Sequence, residues 1–292
     1  MNLSGLYVPL ITPFDTAGAV ALDALEALAH QVLDAGATGV VALGTTGEPG
    51  SLSGPEQRAV VDVAARVCRE HAAELVIGAN TRESLLALRR WPDVTVALTL
   101  VPPFVRPGEA GVLAHFAQLA AASPAPLIAY HVPYRTGQPL SVDALRRLAD
   151  LPGVVGIKHA VGGIDADTVA FLADPPPDFA VLGGDDAFIS PLLALGAHGA
   201  ILASAHVATV EFVRLVEAWR AGDLVQARAL GHRLAALSTA LFAEPNPSVV
   251  KAVLHAQGRV PTAAVRLPLV PPQPCVAQTA LRRVDDLHGA AR

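Results

Sequence analysis

The chain has 292 residues and a formal charge of −5, from 21 Lys+Arg against 26 Asp+Glu. Charged residues make up 16% and hydrophobic ones 52%, which excludes a disordered chain, and mild acidity without a basic block argues against nucleic acid or an anionic membrane as partner. Mean hydropathy is +0.44, yet no apolar run reaches ~18 residues before Pro, Gly, His or a charge interrupts it, so no membrane span is expected. The opening Met1-Asn2-Leu3-Ser4-Gly5 lacks the basic segment of a secretory signal. Cys68 and Cys275 fit neither a disulfide framework nor a zinc cluster, and a reducing cytosol is the expectation. Of the 21 cationic side chains, 19 are arginine and two are lysine, Lys158 and Lys251.

Short, almost continuous apolar runs alternate with helical patterns along the chain. The predicted strands are Leu6–Pro13, Gly39–Gly44, Leu75–Ala79, Val94–Val101, Leu127–His131, Val154–Lys158, Phe179–Gly183 and Ala200–Ser204. Runs of this kind, apolar at every position, belong to parallel strands covered on both faces. Leu22–Ala35 puts Leu22, Leu25, Leu28 and Val32 on one helical face, and Gly36 stops it. Ser53 and Glu56 stand at capping-box spacing before a helix to His71, and Ser141 caps Val142–Ala149. Eight strand-helix alternations predict an α/β fold of the (β/α)8 TIM-barrel class over residues 1–222. Residues 223–292 read as a C-terminal helical extension packed on the barrel, with helices Leu224–Phe242, Pro247–Gln257 and Cys275–Leu287 and an extended connector at Leu267–Pro274. A doubly wound sheet is the competing architecture, but its first βα turn carries a glycine fingerprint, and here that turn is Thr12-Pro13-Phe14.

In a barrel the chemistry sits where strands end. Those ends carry Thr12, Gly44-Thr45-Thr46-Gly47-Glu48, Asn80-Thr81, Tyr130-His131, Arg135, Lys158-His159, Gly184-Asp185-Asp186 and Ser204-Ala205-His206. Lys158 follows the apolar Val154–Ile157 run. Burial lowers an ammonium pKa, and a neutral amine attacks a ketone to form an imine. The plainer alternative is a structural lysine paired with Asp185 or Asp186. Thr45 and Thr46, with the backbone amides of their turn, suit a carboxylate, although a tight turn chosen for shape has the same composition. Tyr130 suits proton relay, or simply a buried hydrogen bond. Arg135 suits a carboxylate clamp, or solvent. Asp185-Asp186 reads as a turn or helix cap rather than a magnesium site. His131, His159 and His206 are the best sequence case for a zinc site, unsupported by any motif. Lys251 reads as a snorkelling or helix-contact lysine.

Together these motifs resemble the pyruvate-dependent Schiff-base aldolases of the dihydrodipicolinate synthase and N-acetylneuraminate lyase family, nearly end to end. The resemblance rests on Thr12-Pro13-Phe14, Gly44–Glu48, Gly78-Ala79-Asn80, Tyr130–Gly137, Gly156-Ile157-Lys158, Gly184-Asp185-Asp186, Asn246-Pro247 with Val250-Lys251, and Arg266-Leu267-Pro268. It implies Lys158 as the imine-forming residue, with Tyr130 and Thr45 assisting as catalytic groups. Thr45 and Thr46 then hold the pyruvate carboxylate, Arg135 binds the carboxylate of the aldehyde partner, and Gly184 and Ala203 line the substrate. No metal or organic cofactor is implied, only the covalent lysine–pyruvate imine, and the expected assembly is a homotetramer built as a dimer of dimers. The implied reaction condenses pyruvate with an aldehyde, L-aspartate semialdehyde first. A 2-keto-3-deoxy sugar acid aldolase or dehydratase is the alternative, followed by a ligand-binding homologue without catalysis. Pro103-Phe104-Val105-Arg106-Pro107 lacks the relay phenol usual in synthases, and His131, His159 and His206 stand where asparagine, glutamate and asparagine are common.

Overall fold

The computed structural model describes residues 3–289. Met1 and Asn2, the start of the segment inspected for a signal, and residues 290–292, the end of the expected extension, lie outside the described residues. Eight parallel strands, β1 (Gly5–Pro9), β2 (Gly39–Ala42), β3 (Glu74–Gly78), β4 (Val94–Leu100), β5 (Leu127–His131), β6 (Val154–His159), β7 (Ala180–Gly183) and β8 (Gly199–Ile201), pair in sequence order. The pairing of β1 with β8 closes the ring. A closed barrel, and not an open doubly wound sheet, is therefore the architecture.

Twelve α-helices lie among the described residues. Nine stand between or just after the strands: α1 (Leu22–Asp34), α2 (Gly54–His71), α3 (Arg82–Ala87), α4 (Gly108–Ala122), α5 (Pro133–Thr136), α6 (Val142–Ala149), α7 (Ala166–Ala173), α8 (Ile189–Ala194) and α9 (Thr209–Ala221). Three more, α10 (Leu224–Leu241), α11 (Ser248–Ala256) and α12 (Pro274–Gly289), come after the last of these. The α10 helix packs on α9, α8 and α12, and α12 also touches α11. The expected capping box exists: Glu56 N–H donates to Ser53 Oγ at 3.4 Å, and Ser53 N–H donates to Glu56 Oε2 at 2.7 Å. No helix among the described residues is long and apolar enough to cross a membrane.

Strand parity sorts the side chains into two apolar layers. Val41, Val76, Val96, Leu98, Ile128, Leu182 and Ile201 fill the barrel interior, whereas Val40, Leu75, Ile77, Ala97, Leu127, Ala129, Ile157 and Val181 face the helices. The β5–β6 register pairs Tyr130 with Lys158 and His131 with His159. Tyr130 belongs to the interior layer. His131 and His159 belong to the outer face, where the His159 ring lies 6.4 Å from that of Phe171 on α7.

Five strands (β1, β2, β4, β7 and β8) are shorter than their apolar runs predict, and the early ends of β1 and β8 have a visible cause. Beyond Pro9, which has no N–H to donate, the amide of Ile11 donates to His206 Nε2 at 3.2 Å instead of continuing the ladder. After Ile201 the chain turns through Ala203–His206, because Ser204 N–H donates to the Asp186 carboxylate at 2.6 Å. Side chains, not a neighbouring strand, take these amides. Both amides therefore keep a partner where the ladder ends, as buried backbone groups require.

Candidate active site

Lys158 lies near the C-terminal end of β6 and points into the barrel mouth. It shares a cleft with Thr45, Thr46, Tyr130, Tyr134, Arg135, Gly184, Asp186, Ala203 and Asn246. All seven residues expected at the site from the sequence therefore converge, together with three to which the sequence gave no site role, Tyr134, Asp186 and Asn246. The approach at Gly184 is close: a Cβ there would lie 2.7 Å from Lys158 Cε and 2.9 Å from Lys158 Cγ. Only glycine leaves room for the lysine stem.

The lysine is 7% exposed, and its Nζ sits 4.3 Å from the Tyr130 ring centroid. Burial pushes its pKa down to about 8, with the nearby Asp186 carboxylate opposing the shift. At pH 7 a group with that pKa is about one-tenth neutral, roughly 300-fold more free amine than an unperturbed lysine offers. Asp186 is itself buried, which pushes its carboxyl up to about 6, while Ser204 N–H partly stabilises the charge. The turn-or-cap role expected for Asp185-Asp186 thus misses Asp186, which is a pocket-lining acid beside the lysine. Asp185 does shape the rim: it accepts from Gly162 N–H at 2.6 Å and from Tyr134 Oη at 3.1 Å.

Tyr130 is 6% exposed, and burial raises its phenol to about 12, so it is a proton donor in this environment rather than a phenolate. The two threonines differ. Thr45 is exposed toward the mouth, whereas Thr46 is buried and accepts a hydrogen bond from Asn246 Nδ2 at 2.9 Å. Asn246 comes from the connection into α11, 200 residues away in sequence, and its Oδ1 is buried with no partner. The only sequence signal for it was its place beside Pro247. Arg135 is exposed, stands 5.8 Å over the Tyr134 ring and pairs with no carboxylate among the described residues, so its planar fork is free for an incoming anion. The cleft opens into a cavity of about 620 Å³ walled by Thr45, Asn80, Arg135, Asn246 and the Arg266–Leu269 stretch.

The three histidines do not gather. His206 is fully satisfied: its Nδ1 donates to Ala203 O at 3.0 Å, and its Nε2 accepts from Ile11 N–H. His131 and His159 pack 5.7 Å apart, centroid to centroid, behind Tyr130 and Lys158. His159 bonds Thr168 Oγ1 at 2.9 Å, while both nitrogens of His131 and Nδ1 of His159 are unpartnered. Burial holds these rings neutral, His131 at about 3 and His159 at about 4. Among the described residues no group of three His, Cys, Asp or Glu side chains has metal-binding geometry, which disposes of the zinc site drawn from these histidines. Lys251 also departs from expectation. It is not a snorkelling surface lysine but 1% exposed, and it is ion-paired with Glu48.

Comparison with known proteins places this arrangement. The model of the Dihydrodipicolinate synthetase family matches residues 2–283. The 4-hydroxy-tetrahydrodipicolinate synthase of Moorella thermoacetica is 36% identical over 274 residues, covering 92% of this chain and 93% of the relative. That of Neisseria meningitidis serogroup B is 35% identical over 277 residues, covering 92% and 93%. Among solved structures, the dihydrodipicolinate synthase of Thermotoga maritima superposes with a TM-score of 0.92 at 27% identity, covering 99% of each chain. The chloride-inhibited Acinetobacter baumannii enzyme, solved with pyruvate, gives a TM-score of 0.90 at 32% identity, covering 96% of this chain and 98% of that one. The chain belongs to the dihydrodipicolinate synthetase family.

Proposed function

We propose that this chain is a lyase that condenses pyruvate with an aldehyde through an imine at Lys158, as a 4-hydroxy-tetrahydrodipicolinate synthase acting on L-aspartate semialdehyde. The observation that carries the proposal is the buried Lys158, with its pKa near 8, sharing one cleft with a buried phenol and two threonines. The neutral amine attacks the keto carbon of pyruvate, and water leaves as Tyr130 returns a proton, with Thr45 assisting. The cationic imine draws electrons from the adjacent methyl group, which loses a proton to give an enamine. The enamine carbon attacks the aldehyde, and release of the product by hydrolysis or cyclisation restores the amine. The imine is its own electron sink, so the chemistry asks for no metal or organic cofactor.

Thr45, Thr46 and their turn hold the pyruvate carboxylate, while Gly184 and Ala203 form the wall behind it. The unpaired Arg135 receives the carboxylate of the aldehyde. Similarity to relatives named as this synthase supports the choice of substrate. A 2-keto-3-deoxy sugar acid is the second reading, favoured by the 620 Å³ cavity and by the absence of a phenol from residues 103–107.

The same proposal takes residues 1–222 as a catalytic barrel and 223–292 as a helical extension. It includes assembly as a homotetramer, a dimer of dimers, supported by Phe104 and Val105 standing 93% and 74% exposed on the rim. A structural neighbour described as a monomeric dihydrodipicolinate synthase variant makes the oligomeric state worth measuring directly. Cytoplasmic residence fits two cysteines that are both free, Cys68 buried and Cys275 exposed.

Borohydride added in the presence of pyruvate tests the chemistry. A mass increment on the Lys158 peptide, absent from Lys158→Arg, is expected, because a guanidinium stays protonated and forms no imine. No increment on the wild-type chain defeats the proposal. Turnover of a keto-sugar acid without turnover of aspartate semialdehyde selects the second substrate.

A further inference from the structure

Lys251 and Glu48 form an almost completely desolvated ion pair, with side chains 1% and 2% exposed. Glu48 ends the Thr45–Gly47 turn in the left-handed region, at φ 54° and ψ 41°, which L side chains rarely adopt. Its N–H donates to Thr45 O at 3.2 Å and closes the turn. Its carboxylate is held on both oxygens. Oε1 accepts from Lys251 Nζ at 2.5 Å, and Oε2 accepts from the Arg266 backbone N–H at 2.9 Å. Lys251 Nζ also donates to Ala264 O at 2.9 Å and lies 4.1 Å from the Phe14 ring centroid. Both carboxylate oxygens and the ammonium are thus held by fixed partners.

The rest of the turn is tied in the same way. Thr12 Oγ1 donates to Gly47 O at 2.8 Å, and Asn246 Nδ2 donates to Thr46 Oγ1 at 2.9 Å. The stretch from Asn246 to Lys251 thus grips the turn at two points, across 200 and 203 residues of sequence. Thr45 alone is left with its hydroxyl toward the mouth. A buried ion pair is seldom more stabilising than apolar side chains of the same volume, but it tolerates far fewer geometries. Stability by itself is therefore a poor reason for these two charges to lie beneath this turn.

We propose that Lys251 and Glu48 are positioning residues: their pair sets the orientation in which the Thr45–Thr46 turn receives the carboxylate of the keto acid bound at Lys158. The proposal rests on the pyruvate-imine function above and adds the device that keeps its carboxylate site pre-formed.

Glu48→Gln keeps the size of the side chain but offers one acceptor to two donors and turns an NH2 toward the other. A paired Glu48→Gln/Lys251→Met variant removes both charges, so no uncompensated ion is left buried. The probe is pyruvate trapped with cyanoborohydride. The readouts are the pyruvate concentration that half-saturates labelling of Lys158, the maximal labelling rate and the melting temperature. Both variants are expected to need at least tenfold more pyruvate for half-saturation, with maximal labelling within about twofold of wild type. A role confined to stability lowers the melting temperature and the yield of folded protein but leaves half-saturation unchanged, and that outcome overturns the proposal. Failure of the paired variant to fold overturns it too, by assigning the pair to stability. Labelled wild type with unaltered variants defeats this inference alone. Unlabelled wild type defeats the pyruvate function and this inference with it.

Discussion

Replacing Gly184 with alanine places a methyl group 2.7 Å from Lys158 Cε, 2.9 Å from Lys158 Cγ and 3.0 Å from Ala160 Cβ. Ordinary carbon contacts begin at 3.4 Å, so the lysine stem must retreat by about 0.7 Å at Cε and about 0.5 Å at Cγ. Because Cγ lies near the root of the side chain, rotating the ammonium end does not relieve the clash. The strand must yield or the whole stem must change rotamer, and the Ala160 contact blocks one direction of escape. Overpacking of this kind costs about 1–3 kcal/mol, or a melting temperature lower by roughly 2–12 °C for a protein of this size. The functional effect is larger in proportion, since a reacting nitrogen misplaced by nearly 1 Å loses about 100-fold in rate. The assay is the rate of borohydride-trapped pyruvate labelling at Lys158, followed by peptide mass, alongside thermal unfolding. A Gly184→Ala protein that labels within twofold of the wild-type rate refutes the close-approach account of this position.

The rate of imine formation should fall about tenfold per pH unit below pH 8 and level off above it, because Lys158 attacks only when neutral and its pKa is about 8. Stopped-flow measurement at saturating pyruvate checks this, and a flat profile from pH 6 to 8 contradicts it. Asp186→Asn removes the charge that opposes burial of Lys158, so the same limb should move to lower pH; movement to higher pH means that the carboxylate does not act on the lysine. His131, His159 and His206 have folded pKa values of about 3, 4 and 4, below the ordinary value of 6.5. Between those values the unfolded chain binds protons that the folded chain does not. Stability is therefore full above pH 6.5 and declines as pH falls toward 4, by up to about 1.4 kcal/mol per pH unit for each ring. Urea unfolding at pH 7, 6 and 5 should show a shallower decline in His131→Leu than in wild type, and equal slopes would remove His131 from the account. Ser53→Ala deletes one half of the α2 capping box and should cost about 1 kcal/mol, seen as a lower melting temperature, with pyruvate labelling unchanged.

Much of the catalytic rim was legible in the sequence because its signals are local. Strands covered on both faces read as unbroken apolar runs, and a charged residue at the end of such a run, as Lys158 is after Ile157, stands out without any knowledge of its neighbours. The barrel rule then assigns all strand ends to one face. The misreadings share a cause. Lys251 sits in a short helical stretch whose local pattern says nothing about the turn it meets 203 residues earlier, so a snorkelling or helix-contact role was the natural expectation. The Asp186 carboxylate takes the amide of Ser204, a bond that ends β8 early and turns an apparent helix cap into a pocket acid. The three histidines lie at corresponding ends of strands, yet His206 bonds the backbone of the β1 end and the other two face the helices.

Composition, apolar patterning and turn chemistry thus determined the barrel class, the rim and the one lysine that stands on it, since each is a property of a few consecutive residues. Only the tertiary structure decided how far that amine is desolvated, which acid stands beside it, and what holds the Thr45–Gly47 turn. Those properties depend on burial and on partners that packing brings together from 200 residues apart, as with Asn246 on Thr46.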